Sequence, residues 1–539
     1  MRARLRHCRR LVRAGRNNTI IFAAGEGLQW DTKCTKDHEY ARKSLEAPHL
    51  SVTPNYSCVQ RARCVLDGRQ VGFYRMMGQL YFRVPSIEVT PMHQSNLKLN
   101  INNRQLLNLA VPISFALLVP QINFITNNIF LGRLGVQELG AAGITGVYYL
   151  IFAGIGFGLN NGLQALISRR AGENRPEEIG KLFAQGVRIA LVIAAIGILI
   201  TYLAAPTLYA HVLKDDETRS LVVRFLKIRI WGLPFLYIYQ MRNALLVGTN
   251  QSKYLVGGTI AETLTNIYFD YGLIYGHFGL PRLGFDGAAI ASILAEAMGM
   301  AVVFAVIHYK GISRQFALFK SFRFEKINSR LILVQSSPLI FQHAISLISW
   351  EFFYILIEHH GAEDLAISNT MRNIFGFFGP FVWAFAATTN TMVSNVIGQG
   401  MHDRVEELVR KIVRLSTGSA IVVGILLNIF PTAFLSIYGQ DSEFIHTAIP
   451  VVRVVSSALV LMSFSAIWLN AVTGTGNSKV NLMIEFITIT AYCLYVYLVL
   501  EVFNLSIVVG WMSEWLYWTF IFSLSYFYIK SGKWKHKKI

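Results

Sequence analysis

The feature that most constrains this 539-residue chain is a series of long apolar segments, each separated from the next by a short polar loop. A helix needs about 20 residues to cross the hydrocarbon core of a bilayer. From Leu106 onward, twelve segments are long enough. They span residues 106–131, 139–165, 183–205, 221–246, 255–277, 287–309, 331–357, 365–392, 412–436, 449–471, 480–503 and 507–529. The pattern predicts an all-α membrane protein with twelve transmembrane helices.

The composition supports a membrane environment. Hydrophobic residues make up 53% of the chain and charged residues only 15%, whereas soluble domains carry about 25% charged residues. The net charge of +19 would suggest nucleic acid in a soluble protein. No basic stripe with interleaved aromatic residues occurs, so we interpret the excess as basic loops and expect no nucleic-acid partner. The five cysteines show no CxxC spacing and predict neither a disulfide framework nor a metal site.

The Lys and Arg residues follow alternate loops between these segments, as cytoplasmic loops of membrane proteins do. The intervening loops, such as LKDDET and GQDSE, are acidic or poor in basic residues. This alternation predicts that both termini are cytoplasmic. The basic loops contain Arg169, Arg170, Arg175, Lys181, Lys253, Lys310, Arg314, Lys320, Arg323, Lys326, Arg330, Arg404, Arg410, Lys411 and Lys479, and the chain ends in KSGKWKHKK.

Residues 1–91 differ from the rest because they show no sustained hydrophobic periodicity. We expect a disordered extension, or an upstream region included by a misplaced start, with Met92 as the true beginning. A mitochondrial-type presequence is the alternative, and the acidic residues between Glu26 and Glu39 count against it. The expected divisions are the extension at 1–91, an N-terminal six-helix lobe at 92–310, a cytoplasmic linker at 311–330, a C-terminal six-helix lobe at 331–530 and a basic cytoplasmic tail at 531–539.

An internal repeat with a constant offset relates the two halves. Pro112 corresponds to Pro338, since 338 − 112 = 226, and the segment GTNQSK at Gly248 corresponds to GTGNSK at Gly474. Each half holds six helices, an even number, so both copies have the same orientation, as in transporters with parallel repeats. The repeat predicts a carrier that binds its substrate between the halves. The same offset relates Gly135 to Gly361, Leu139 to Leu365, Ser168 to Ser394, Gly172 to Gly398, Leu182 to Leu408, Val187 to Val413, Arg188 to Arg414, Asp215 to Asp441 and Glu217 to Glu443.

Three segments in order resemble the multidrug and toxic compound extrusion (MATE) family. The first is LAVPISFALLVPQINFITNNIFLGRLG followed by ELGAAG, and the second is ALISRRAGE with its repeat partner MVSNVIGQG. The third is NIYFDYGLIYGHFGLPRLGFDGAAIAS, which contains Asn266 and Asp270. The resemblance covers roughly residues 105–530, the whole membrane region.

The resemblance implies two six-helix repeats that form a V-shaped central cavity. It also implies antiport of drugs or other small organic molecules, typically cationic, against protons or sodium ions. We therefore expect a monomer in the bilayer of a bacterial inner membrane, with no enzymatic activity and no cofactor beyond the coupling ion. The motif GxxxxGK[ST] of ATP-binding proteins does not occur in the sequence.

Polar residues on helices five and six are the main candidates for ion coupling, because carboxylates inside a bilayer are costly and mark ion pathways. Glu262, Asn266 and Asp270 follow one another at intervals of four and therefore lie near one helix face. Ser292 and Glu296 show the same spacing on helix six. The resemblance implies an amino-lobe cation site at Asn266, Asp270 and Ser292. The alternative is that these residues only join the two helices.

The sequence departs from the family in helix one, where many members have an Asp before the IF-x-G segment and Asn127 stands here. An amide cannot release a proton, although its carbonyl is able to bind sodium. Asn127 thus joins Asn266, Asp270 and Ser292 as a predicted sodium ligand. Glu262 or Glu296 is expected to supply the missing charge.

A second departure lies in helix seven, where some members place a carboxylate eight residues after the first proline and this chain has Ser346. Glu351 lies five residues further, about 140° round the helix, and is a further ion-coupling candidate. Two deep basic residues, Arg229 and Arg453, are interpreted as partners of buried acids. Glu485 is the candidate partner of Arg453.

Aromatic residues are weaker candidates for the substrate cavity, because rings stack on flat cations but more often pack or anchor helices. The four chosen are Trp231, Tyr237, Phe375 and Trp383. Two other functions stay open. A flippase or exporter of lipid-linked oligosaccharides belongs to the same wider superfamily, and a membrane-embedded transferase would need a catalytic constellation that the sequence does not show.

Overall fold

The computed structural model describes the strands at 60–66, 69–76 and 79–83 and the residues 97–318, 323–436 and 442–537. The chain divides into two compact units, Met1–Ser95 and Asn96–Ile539. In the described part of the chain, the first unit contains the strands and the second contains the helices.

A three-stranded antiparallel sheet lies in the first unit, where the sequence predicts a disordered or mis-assigned extension. Strands β1 (Gln60–Leu66), β2 (Arg69–Met76) and β3 (Gln79–Arg83) pair in the order β1-β2-β3. The expectation of a disordered or mis-assigned extension did not include these strands and stays a prediction. The dipeptide Asp67-Gly68 between β1 and β2 is a strong hairpin signal, which a search for sustained apolar periodicity overlooks. The rest of 1–91 lies outside the described residues.

Twelve long helical segments form the second unit. The first six are α1 (Asn103–Gly132), α2 (Val136–Gly172), α3 (Pro176–Val212), α4 (Asp216–Arg229 and Leu233–Gly248, joined by a 3-10 turn at Ile230–Gly232), α5 (Leu255–Tyr275) and α6 (Phe285–Tyr309). The second six are α7 (Lys326–Glu358), α8 (Ala362–Gly398), α9 (Val405–Ile429), α10 (Ser442–Gly474), α11 (Ser478–Val496, extended by a π-helical turn at Tyr497–Val502) and α12 (Ser513–Lys530). Shorter helical turns are Ser252–Tyr254, Ile312–Gln315, His402–Arg404, Pro431–Ser436 and Ile507–Trp511.

Each long segment overlaps one predicted span, which confirms the all-α architecture of the membrane region. By length and composition alone, 9 helices of the described chain are suited to cross a membrane. The segments outside that set are α4, which the 3-10 turn interrupts, and the more polar α5 and α8. α5 contains Asn266 and Asp270, and α8 contains the polar run Thr388–Asn390.

The helices begin where the sequence supplies suitable residues. Pro176 opens α3, where a missing backbone N–H costs nothing. Asp215 caps α4, because its side chain accepts hydrogen bonds from the backbone N–H and the hydroxyl of Thr218. These bonds hold the pKa of the Asp215 carboxyl below its usual range. Gly135 and Gly361, which correspond at the offset of 226, precede α2 and α8.

Each repeat builds a hydrophobic core of its own. Leu163 and Met241 belong to the core of the first repeat, and Phe353 and Trp511 to the core of the second. The start of α1 packs into the second core through Leu106. We call the two repeats, with the helices α1–α6 and α7–α12, the first and second lobes.

The lobes meet along α2 and α8, where two serines exchange equivalent hydrogen bonds. Ser168 Oγ donates to the Thr391 carbonyl at 2.6 Å, and Ser394 Oγ donates to the Ala165 carbonyl at 2.6 Å. The residues correspond, since 394 − 168 = 226 and 391 − 165 = 226. The two bonds are therefore one contact made twice, as a twofold relation between the lobes requires.

Two amides repeat this exchange one turn earlier on the same helices. Gln164 Nε2 donates to the Ala387 carbonyl at 2.9 Å, and Asn390 Nδ2 donates to the Asn161 carbonyl at 3.1 Å. Both donors and both acceptors again differ by 226.

Two glycines bring the ends of α2 and α8 into backbone contact. A Cβ atom at Gly172 would overlap the Asn395 carbonyl oxygen, and a Cβ atom at Gly398 would overlap that of Arg169. These glycines, the serines and the amides form the α2–α8 seam. It lies toward the helix ends that the charge pattern predicts to be cytoplasmic.

Candidate ion-coupling site

The structure brings together Asn127 of α1 with Asn266 and Asp270 of α5. Asn266 and Asp270 are buried and one turn apart. With the Asn127 amide oriented to satisfy its hydrogen bonds, its nitrogen donates to Asn266 Oδ1 at 2.9 Å and to Asp270 Oδ2 at 2.5 Å. Three of the four predicted sodium ligands are therefore in contact, and we call them the Asp270 cluster.

The Asp270 cluster includes a carboxylate oxygen without a partner. Asp270 Oδ1 is buried and has no hydrogen-bond partner among the described residues. Two further buried oxygens on the same helices also have no partner there: Asn123 Oδ1, one turn before Asn127, and Thr263 Oγ1, two turns before Asp270. A buried polar atom without a partner costs free energy, and a carboxylate oxygen costs most. A proton or a small cation would satisfy Asp270, so the chemistry of this donor set fits a small cation.

Ser292, the fourth predicted ligand, lies half-buried on α6. Within the described chain, no hydrogen bond joins it to Asp270. Its assignment as a ligand stays a prediction.

Glu296 is held in an ion pair with Arg229. Arg229 Nη2 donates to Glu296 Oε1 at 2.5 Å and Nη1 donates to Oε2 at 3.1 Å, while the Tyr149 hydroxyl donates to Oε1 at 3.1 Å. The guanidinium also lies 3.7 Å from the centroid of the Tyr149 ring. Two-pronged bonding of this kind is the strongest form of such a pair. The buried acid that the sequence predicts for Arg229 is therefore Glu296.

Gly232 provides the space for this ion pair. It ends the 3-10 turn inside α4, and a Cβ atom there would overlap both Arg229 Nη1 and Glu296 Oε2. The break in α4 and the glycine thus belong to one local arrangement, and larger side chains at this position would displace the pair.

Glu262 lies two turns before Asp270 on α5 and packs against Gly299 of α6. A Cβ atom at Gly299 would be 3.0 Å from Glu262 Cβ and 3.2 Å from its Oε2. The fully buried Arg242 donates Nη1 to the carbonyls of Gly299 at 3.3 Å and Met300 at 2.6 Å. Glu262, like Glu296, thus has an arginine in its surroundings, and its role in ion coupling stays a prediction.

The second lobe contains a different buried carboxylate, Glu485 of α11. Its Oε1 accepts hydrogen bonds from the Ser346 hydroxyl at 2.6 Å and the Tyr517 hydroxyl at 2.5 Å, and its Oε2 accepts from Gln342 Nε2 at 3.2 Å. All three partners are uncharged, so the expected pair with Arg453 is not what the structure shows. The Glu485 group is also not predicted as a site from the sequence. Its members come from three helices, and no local spacing connects the carboxylate with its donors.

Among the described residues, the remaining predicted residues form no hydrogen bond with Asp270 or Glu485. Glu351 is half-buried on α7. Tyr237 is fully buried, with its hydroxyl donating to the Phe152 carbonyl at 3.0 Å, so its surroundings are those of a core residue. The other three predicted cavity residues are Trp231, which is 53% exposed, Trp383, which is 43% exposed, and Phe375, which stacks on Trp511 with ring centroids 6.1 Å apart.

Two repeated lobes that share a polar seam, with a carboxylate cluster inside one of them, are the architecture of a multi-pass membrane transporter. The MatE family model matches the chain twice, over residues 112–272 and 338–498. Both ends of the two matches differ by 226, and together the matches cover more than half of the chain. The chain belongs to the MatE family.

Curated relatives support this assignment over most of their length. A probable multidrug resistance protein NorM from Synechocystis is 26% identical over 375 residues, which are 66% of this chain and 79% of the relative. A probable multidrug resistance protein NorM from Thermotoga maritima is 22% identical over 438 residues, which are 81% of this chain and 94% of the relative.

Solved structures show the same fold at low sequence identity. A MOP superfamily transporter from Pyrococcus furiosus is 15% identical, with a TM-score of 0.74 over 83% of this chain and 99% of its own. An outward-facing multidrug resistance transporter of the MATE family gives the same identity, TM-score and coverage. These similarities confirm the helical transporter fold, and the two matches of the family model confirm its two repeats.

Proposed function

We propose that this protein is a secondary active antiporter that exports small organic molecules in exchange for protons or sodium ions. The observation that carries this proposal is the Asp270 cluster, a carboxylate in a membrane helix with an oxygen that has no partner among the described residues. The relatives are named as multidrug resistance proteins, and we extend that broad substrate class to this chain. Its location is the inner membrane of a bacterium, as a monomer with both termini in the cytoplasm.

Ion binding and movement of the lobes are linked through Asp270. An ionised carboxylate without a partner is costly in a membrane protein, so the conformation that gives it a cation is favoured. In the proposed cycle, the site takes up a cation from the outer side and releases it on the inner side. The α2–α8 seam joins the lobes in the present conformation, and access from the opposite side requires its hydrogen bonds to break.

Asn127 bears on which cation is used. In the present orientation its amide nitrogen donates to Asp270. After a rotation of about 180°, the amide would present its oxygen beside Asp270 and Asn266, and oxygen ligands suit a hard cation such as sodium. A proton needs only the carboxylate. Both ions therefore remain in the proposal, and Asn127 distinguishes them experimentally.

When one ion is exchanged for an uncharged molecule, one net charge crosses the membrane. A charge that crosses a potential of about 150 mV supplies roughly 3.5 kcal/mol. This free energy supports a concentration ratio of a few hundred. Exchange of one ion for a monovalent cation moves no net charge and draws only on the ion's concentration gradient.

The proposal is tested in liposomes that contain the purified protein and the fluorescent cation ethidium. Efflux is measured under a proton gradient alone and under a sodium gradient alone. We expect one gradient to drive efflux and the Asp270→Asn variant to abolish that drive. Asp286→Asn is the matched control, because Asp286 is an aspartate of the same lobe that already has a basic partner, Arg224, at 2.7 Å.

Three outcomes decide between the candidate functions. Drive by one gradient, lost in Asp270→Asn and kept in Asp286→Asn, supports antiport through the Asp270 cluster. Full drive in Asp270→Asn removes the cluster from the mechanism. If neither gradient drives efflux of ethidium or of an anionic dye, the antiport proposal fails, and export of lipid-linked oligosaccharides becomes the function to test.

A further inference from the structure

A groove lined by charged side chains opens between α9 and α12 of the second lobe, at the helix ends that the charge pattern predicts to be cytoplasmic. Its volume is about 540 Å³. Both helices pack against α10, which lies between them. We call this cavity the α9–α12 groove. The residues that line it are Arg410, Lys411, Arg414, Lys530, Asp403, Glu406 and Glu407, none of which belongs to the Asp270 cluster or the Glu485 group.

The charges along α9 change in order from the helix end toward the interior of the membrane. The acidic residues Glu406 and Glu407 lie in the first turn, and Arg410 and Arg414 follow one and two turns further in. The exposed side chains between 421 and 426 are then all apolar, namely Ile421, Val422, Ile425 and Leu426. Residues spaced by four and seven share one helix face. Arg410 and Arg414 therefore stand at the end of an exposed apolar stripe.

Helix α12 shows the same order on the other side of the groove. Phe527 is 68% exposed, and Lys530 follows it by one turn and is also exposed. The Lys530 Nζ atom lies 5.9 Å from the centroid of the Tyr526 ring. Tyrosine rings are enriched at the level of the lipid headgroups. Two exposed apolar faces thus end at basic residues on both sides of one groove.

The positive charge of the groove is not cancelled by its acidic residues, because each of the three acids already has a basic partner. The ion pairs are Asp403–Lys535 at 2.6 Å, Glu406–Lys530 at 2.7 Å, Glu406–Arg410, and Glu407–Arg404 at 3.0 Å. Arg414 is exposed and takes part in none of the ion pairs of the described chain. A guanidinium in this position is suited to a phosphate, which it binds through two parallel hydrogen bonds.

The concentration of basic residues at this groove exceeds what the membrane topology requires. Topology calls for basic loops in both halves of the chain. If it were the only reason, the two lobes would be expected to carry comparable basic residues at corresponding positions. At the offset of 226, Arg410 corresponds to Ala184, Lys411 to Gln185, and Lys530 to Phe304, and only Arg414 has a basic counterpart, Arg188. The α9–α12 groove is therefore a feature of the second lobe alone.

We propose that the α9–α12 groove binds an anionic phospholipid of the inner leaflet. Its phosphate pairs with Arg414, next to Arg410 and Lys530, and its acyl chains lie along the apolar faces that begin at Ile421 and Phe527. The continuity of the groove with these faces favours a lipid over a free anion. A zwitterionic lipid carries a cation beside its phosphate, which the basic residues repel, so the groove selects for net negative charge. This inference does not depend on the antiport proposal.

Native mass spectrometry of the purified full-length protein tests the site. The probes are dioleoyl phosphatidylglycerol and dioleoyl phosphatidylcholine, which share their acyl chains and phosphate and differ in net charge. We expect the wild type to bind its first phosphatidylglycerol about fivefold more tightly than phosphatidylcholine, the effect of one basic residue near an anionic headgroup. Arg414→Gln should reduce that preference to less than about twofold, and Arg414→Lys, which keeps the charge, should retain most of it.

Arg330→Gln is the matched control, because Arg330 is another exposed arginine near the same end of a helix, beside the exposed apolar Leu333 and Val334, and does not line the groove. This variant should keep the preference within about twofold of the wild type. Glu406→Gln should act in the opposite direction to Arg414→Gln. It releases Arg410 and Lys530 from their ion pairs, so binding of phosphatidylglycerol should strengthen by a few-fold while binding of phosphatidylcholine stays unchanged.

Equal binding of the two lipids by the wild type overturns the proposal, as does a preference that persists in Arg414→Gln. An equal loss in Arg330→Gln also overturns it, because the effect would then be one of general surface charge. Inorganic phosphate at about 10 mM should leave phosphatidylglycerol bound, and its displacement would identify a site for a free anion instead. The antiport proposal is decided separately, by gradient drive in Asp270→Asn.

Discussion

The two lobes share a backbone plan, but their buried positions have opposite chemistry. Where the first lobe has the Asp270 cluster, the second has aromatic and aliphatic residues at the offset of 226. Phe353 and Tyr492 place their rings 6.2 Å apart, and Val496 is fully buried. A repeat conserves the packing of helices without conserving the site they carry. The corresponding pairs are Asn127 with Phe353, Asn266 with Tyr492, and Asp270 with Val496.

Other buried charged residues also occur in one lobe only, with an uncharged residue at the corresponding position of the other lobe. Glu485 of the second lobe corresponds to Thr259 of the first. The ion pair of the first lobe corresponds to uncharged residues of the second, with Arg229 opposite Val455 and Glu296 opposite Phe522. The α2–α8 seam is the contrasting region, because both lobes supply the same polar groups there. The two lobes carry the same kinds of polar group where they contact each other at the seam. They carry different residues at the positions that correspond to the Asp270 cluster and the Arg229–Glu296 pair.

The largest expected effect on stability comes from breaking the Arg229–Glu296 pair on one side. Arg229→Met should destabilise the protein by about 3–5 kcal/mol, because it leaves an uncompensated buried carboxylate. Adding Glu296→Met should recover most of that loss, since the second lobe tolerates apolar residues at both corresponding positions. Thermal unfolding of the two single variants and the double variant in detergent measures the coupling. Additive losses in the double variant would show that the pair does not act as a unit.

A smaller effect, and one that should be equal in both lobes, is expected at the seam. Gly172→Ala and Gly398→Ala each place a Cβ atom against a backbone carbonyl of the other lobe. Overpacking of this kind costs about 1–3 kcal/mol. Each variant should therefore shift the population away from the present conformation, in which the α2–α8 seam joins the lobes. Distances between spin labels on the ends of α2 and α8 measure that shift. Markedly different responses of the two variants would contradict the twofold relation.

The sequence predicted the repeat from its constant offset, and the resemblance to the family implied that Asn127, Asn266 and Asp270 share a site. Asn266 and Asp270 lie one turn apart, and the family pattern places Asn127 beside them. The Glu485 group and the Arg229–Glu296 pair could not be predicted as they stand, because their members are joined by tertiary packing between distant helices. The break in α4 is signalled by Gly232 and Pro234 within the apolar segment, a cue that the search for long apolar spans overlooks.

The smallest effect is expected at the carboxyl-terminal tail, which has no counterpart in the first lobe. Trp534 is buried, Lys535 Nζ lies 2.6 Å from Asp403 Oδ1, and Lys537 Nζ donates to the Gly476 carbonyl at 2.6 Å. Lys535 holds the pKa of the Asp403 carboxyl below its usual range, so that carboxylate stays charged at neutral pH. Exposed pairs contribute little and are screened by salt.

Lys535→Ala should therefore speed amide hydrogen exchange of residues 531–537 by no more than a few-fold and leave efflux unchanged. Raising the salt concentration to about 1 M should reproduce the same increase in the wild type, because salt screens the pair. A change in efflux of more than twofold would show that the tail takes part in transport.

The assignment of ion coupling to the Asp270 cluster is tested most directly by counting the ions released when substrate binds. Calorimetric titration of N-methylacridinium into the purified protein in buffers of different ionisation enthalpy gives the number of protons released, and the dependence of its affinity on sodium concentration gives the number of sodium ions. The proposed mechanism predicts about one ion per substrate in the wild type and in Asp286→Asn, and none in Asp270→Asn. An unchanged ion count in Asp270→Asn would contradict the assignment of coupling to the first lobe.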